Sequence, residues 1–132
     1  MTDLKLLALD SEDLEIVSAH TQDAVVRVGD MGYSKGDQRF VLLMNRYAWE
    51  TGGKRGQRKR AGLHFDHVTA AHAEGFDLNS KDGVLELLAV TFEPGDAPAG
   101  QVLLTFAGGG RVRLDAECLE ARLRDLGGVW AA

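Results

Sequence analysis

Apolar and polar positions alternate along most of this chain, and only two stretches carry a helical period. Leu4–Leu9 is a short apolar run that ends at Asp10 and reads as a strand. Asp10 or Ser11 can accept hydrogen bonds from the free amides that open a helix, and Glu12 and Asp13 suit its positive end. Leu14, Val17, Thr21 and Ala24 then share one face, which predicts a helix from about Glu12 to His20. The second helical stretch lies near the C-terminus. Asp115 would cap it, Leu119, Leu123 and Leu126 would form its buried stripe, and Gly127 would end it.

Between the two, the pattern is that of strands. Val25–Tyr33 is rich in β-branched residues, and Ser34–Gln38 is a turn cluster leading into Arg39–Trp49, so these two strands are expected to form a hairpin. In Arg39–Trp49, Phe40, Leu42, Met44, Arg46 and Ala48 share one face, and Val41, Leu43, Asn45, Tyr47 and Trp49 the other. Two largely apolar faces place this strand inside a sheet. Leu63–Ala71 and Val84–Phe92 resume strand character. Gln101–Phe106 and Arg111–Asp115 flank Gly108-Gly109-Gly110, a hairpin signal. The expected fold is α+β, one domain over residues 1–132. Its sheet, of six to seven mostly antiparallel strands or a partly open barrel, carries a short N-terminal helix and a C-terminal amphipathic helix. At the level of analogy that is a pleckstrin-homology type of barrel.

Charge changes the picture at one place. The chain carries a net −5, yet residues 54–60 hold five of its 15 Lys and Arg and no acid. Taking those five positive charges from −5 leaves −10 on the remainder. Thr51–Ala61 also contains three glycines and reads as an exposed loop. Lys54, Arg55, Arg58, Lys59 and Arg60 therefore form a candidate contact for an acidic partner, protein or nucleic acid, with Tyr47 and Trp49 placed to stack on unpaired bases. The blander reading of the same charges, a solvated loop balancing an acidic body, is the commoner role of a charge run.

A rival reading gathers Asn45, Arg46, His64 and Asp66 around a polar pocket, for a small ligand or for hydrolysis. An inward Arg46 needs an acid, and Glu86 is the expected one. His64 and Asp66 sit at i, i+2 on one strand face, but no third ligand follows at metal-site spacing, so neither metal nor cofactor is expected. The triple glycine is followed by a strand rather than a helix, unlike a phosphate cradle. One cysteine, Cys118, excludes an intramolecular disulfide and suits a reducing cytoplasm. Neither a secretory signal nor a run of about 20 apolar residues is found, so no membrane contact is expected. The two-faced apolar strands also suit a homodimer.

Three runs carry a resemblance. They are Leu4–Asp10 together with Ala19–Val25, then Arg39–Arg46, then Leu103–Gly110. They resemble a family of small alphaproteobacterial proteins known as a domain of unknown function. The resemblance covers nearly the whole chain and implies no activity, cofactor or site.

Overall fold

The first helix forms where its capping pattern places it. In the computed structural model, which describes residues 3–48 and 57–131 (side chains of 57 and 127–131 excepted), α1 spans Ser11–Thr21. The Asp10 side chain accepts from the Asp13 amide at 2.8 Å, and Leu14, Val17 and Thr21 are buried as the spacing predicts.

Ten strands are found among the described residues. They are β1 (Lys5–Ala8), β2 (Val25–Arg27), β3 (Met31–Ser34), β4 (Arg39–Tyr47), β5 (Gln57–Phe65), β6 (Val68–Glu74), β7 (Val84–Pro94), β8 (Gly100–Phe106), β9 (Arg111–Ala116) and β10 (Ala121–Ala131). They join in the order β1-β10-β5-β4-β2-β7-β8-β9-β6, with β3 also alongside β4. Every described pairing is antiparallel. The sheet is open, running from β1 at one edge to β6 at the other.

This corrects the expected α+β fold. The described residues are mostly sheet with one α-helix, and they form ten strands where six to seven were expected. The C-terminal amphipathic helix does not form, and with it goes the pleckstrin-homology analogy. Residues 121–131 are β10 instead, seated between β1 and β5. The leucine spacing misleads because Asp125 occupies an inward position. Ala121, Leu123 and Asp125 are buried, whereas Arg122, Arg124 and Leu126 are exposed. That is a period of two, with a carboxylate where an apolar residue would have revealed it. Leu126, assigned to the buried stripe, is 52% exposed.

Two smaller expectations also change. The Val25–Tyr33 strand is broken by a 3₁₀ turn at Val28–Asp30. Only β3 forms the hairpin with β4, while β2 touches β4 at Val25↔Asn45 and pairs with β7. The Leu63–Ala71 strand is interrupted at Asp66-His67, where His67 takes a φ of +61°, so β5 ends and β6 leaves in a new direction. The β8–β9 hairpin forms as expected, with Gly108 and Gly109 at positive φ, a conformation that glycine adopts without a Cβ penalty.

One core joins the two halves of the sheet. Phe40, Leu42, Leu63 and Phe65 from β4 and β5 meet Leu104, Phe106, Val112 and Leu114 from β8 and β9, with Leu14 and Val17 of α1 in the same cluster. Because one face of each strand is spent on this core, the other face is free to carry chemistry.

Candidate functional site

Four adjacent strands, β1, β10, β5 and β4, turn their outer faces to solvent together. Strand pairing aligns the outward residues in rows. Leu7 lies beside Arg122, Arg122 beside His64, and His64 beside Val41. In the next row come Lys5, Arg124, Gly62 and Leu43. Beyond these, Arg60 pairs with Asn45, and Arg58 with Tyr47. Arg39 opens β4 on the same side. No carboxylate stands at an outward position of these strands among the described side chains. The face is thus cationic although the chain carries −5 overall.

The acids that approach it sit on its rim. At one end, Arg39 Nε contacts Asp66 Oδ1 at 2.6 Å, and Arg122 contacts Glu120 at 2.6 Å and Asp66 at 3.5 Å. Burial alone would push the Asp66 carboxyl up, but the Arg39 hydrogen bond and the charges of Arg39, His64 and Arg122 outweigh it and hold the group below its ordinary value. Asp66 in turn raises the Arg39 guanidinium. His64 lies 3.6 Å from Asp66, yet burial dominates there and lowers its pKa, so the neutral ring is favoured.

At the other end, Arg60 donates to Asn45 Oδ1 at 3.2 Å and to Asp30 at 3.4 Å. Arg58 lies over the Tyr47 ring, 5.2 Å from its centroid, and donates to the Asn45 and Asp23 carbonyls. A cleft of about 420 Å³ opens beside them, lined by Val25, Arg27, Asp30, Asn45, Arg60 and Val84. Between the two ends, Lys5 and Arg124 have no acidic partner among the described residues.

A family model described as "Protein of unknown function (DUF2948)" matches residues 4–132. The chain belongs to that family. No curated protein matches it. For this DUF2948 chain, any role must therefore be argued from its own geometry.

That geometry divides the residues singled out in the sequence. Lys54 and Arg55 lie outside the described residues. Arg58 and Arg60 are not on a loop but on β5, facing outward. Lys59 alternates inward and is buried. Arg46 is also buried, and its acid is Asp125 rather than Glu86, which is exposed. Arg46 makes two contacts of 2.8 Å to the Asp125 carboxylate, and Lys59 Nζ lies 3.6 Å from it.

Asn45 and Arg46 consequently face opposite sides of β4, while His64 and Asp66 stand at the far end of the outer face. The four pocket candidates do not converge. The histidines separate as well. His64 approaches Asp66, His67 approaches Glu120 at 3.2 Å, and His72 approaches Asp115 at 3.3 Å. Among the described residues, no group of three or more His, Cys, Asp or Glu is arranged to hold a metal. No described helix is long and apolar enough to cross a membrane.

Sequence reasoning missed Lys5, Arg122, Arg124 and Asp125. The available signal was Ala121-Arg122-Leu123-Arg124, an apolar–cationic alternation of period two inside a segment whose leucines also fit a helix.

Proposed function

We propose that this chain is a binding domain that takes an acidic partner on the outer face of β4 and β5, through Arg58 and Arg60 and the Lys54 and Arg55 that precede them in sequence. The observation that carries the reading is the segregation of charge. Among the described side chains, outward positions of four neighbouring strands hold cations and no carboxylate, in a chain of net −5. A local positive field of this kind acts over about 8 Å at physiological salt, so an acidic body elsewhere does not cancel it at the surface. Arg58 and Arg60 are already ordered by Tyr47, Asn45 and backbone carbonyls, which reduces the entropy lost when they meet an anion. Lys59 contributes to the interior instead. Its lone cysteine suits a cytoplasmic setting.

The test replaces Lys54, Arg55, Arg58 and Arg60 by Ser, keeps Lys59, and follows elution from an immobilised polyanion against salt. The variant should elute at clearly lower salt while retaining its circular dichroism. Elution at the wild-type salt concentration rejects the proposal.

A further inference from the structure

The structure points to a single-stranded nucleic acid as the occupant of this face, laid across β4, β5, β10 and β1; we infer this on the reading just given, that the face binds an acidic partner. The first support is spacing. Adjacent strands lie about 4.8 Å apart and outward residues of one strand about 6.7 Å apart. Arg58 and Arg60 on β5, Arg122 and Arg124 on β10, and Lys5 on β1 therefore form a grid of cations that a flexible phosphate chain can follow. Most are arginines, whose planar fork matches phosphate oxygens in pairs and whose flat face stacks on rings.

The second support is the floor of the grid. Gly62 stands at its centre, beside Leu43. The fold does not require a glycine there. Its φ is not positive, and an added Cβ would make only ordinary contacts, 3.6 Å to Leu43 Cδ2 and 3.9 Å to Leu126 Cδ1. Glycine weakens a strand interior, so a side chain would be the stabler choice. What glycine leaves open is a shallow apolar patch between Leu43 and Leu126, ringed by cations. The flat face of an unpaired base can cover such a patch, whereas an acidic peptide brings charge without a ring. The flat Arg58 guanidinium, held over the Tyr47 ring, offers a second platform at the edge of the grid. Bases within a duplex expose no such faces, which is why the single strand is the form that fits.

Fluorescence anisotropy with the full chain tests this. The probes are a labelled oligouridylate of roughly 12 nucleotides, inside the span known for sheet-based single-strand binders, a duplex of the same length and an oligoglutamate peptide. The chain should bind the single strand in preference to both others. Lys5→Ser and Arg124→Ser should each flatten the plot of log affinity against log salt by about 0.7, the loss of one phosphate contact. Tyr47→Leu and Gly62→Leu should each weaken binding roughly tenfold, as expected for loss of a stacked base, with the circular dichroism unchanged. Preference for oligoglutamate overturns the inference and leaves the acidic-partner reading standing. Equal binding of duplex and single strand, indifferent to Gly62→Leu, also overturns it. Failure to bind all three probes overturns both.

Discussion

Replacing Asp125 by Ala should be among the most damaging single changes outside the apolar core. Its carboxylate is buried and accepts from Arg46 Nε and Nη2 at 2.8 Å each and from the Leu4 amide at 2.8 Å, with Lys59 Nζ 3.6 Å away. Each charge-assisted hydrogen bond contributes roughly 1.5–3 kcal/mol, but they do not add, and removing one member of a buried ion pair costs about 3–5 kcal/mol in all. A domain of this size holds about 5–15 kcal/mol, so between roughly a fifth and all of the stability is at stake. In melting temperature that is roughly 10–25 °C, at about 3–5 °C per kcal/mol for this length.

The pH dependence has a definite sign. Burial pushes the Asp125 carboxyl up, but hydrogen bonds from Arg46 and Leu4 and the charges of Arg46 and Lys59 outweigh it, so its folded value lies below the ordinary one. Its contribution is therefore complete above the unfolded value near 3.9 and is lost as pH falls through the lower folded value. Urea unfolding of both proteins at pH 7 and at pH 3 measures the gap, which should be wide at pH 7 and narrower at pH 3. An Asp125→Ala protein within about 1 kcal/mol of wild type at pH 7 would refute the reasoning, since 3–5 kcal/mol is the expected loss.

Other outcomes follow from the same geometry. In a double-mutant cycle, Arg46→Met combined with Asp125→Leu should cost less than the two changes summed, with a coupling of about 1–3 kcal/mol in urea titrations; strict additivity would mean the contact is energetically idle. Asp10→Ala removes the side-chain cap of α1 and should cost about 1 kcal/mol, visible as a small fall in melting temperature. Gly62→Ala should stabilise β5 by about 0.5–1 kcal/mol, because the Cβ finds room, and calorimetry showing a loss would point to unseen crowding. His64 titrates below its ordinary value because burial disfavours its charged form, so acidification below about 6.5 should erode stability, and His64→Gln should remove that part of the slope.

What the sequence made legible was whatever kept charge out of the interior. The Asp10 cap, the Leu14–Val17–Thr21 face of α1, the apolar run of β7 and the triple-glycine hairpin all follow local rules, and all form. The failures that bear on the site share one cause. Arg46, Lys59 and Asp125 each occupy an inward position of β4, β5 and β10, where a charge hides the alternation. Lys59 therefore reads as part of a basic loop and Asp125 as part of a helix. Arg46 was recognised as needing an acid, but its partner lies 79 residues away, beyond any local pattern. Half of the outer face was hidden for the same reason, because Arg122 and Arg124 belong to the strand that Asp125 disguised.

The seating of β10 between β1 and β5 also sets an order of events during synthesis. Strand β5 can pair with β4 once both have left the ribosome, but its other edge has no neighbour until residues 121–131 emerge. For that interval roughly half the chain is being made while a row of amides and carbonyls stands unpaired, the condition under which one strand recruits another from a second nascent chain. The outward Arg58 and Arg60 would repel their counterparts on such a neighbour, so the same two charges would guard the unfinished chain against its own copies.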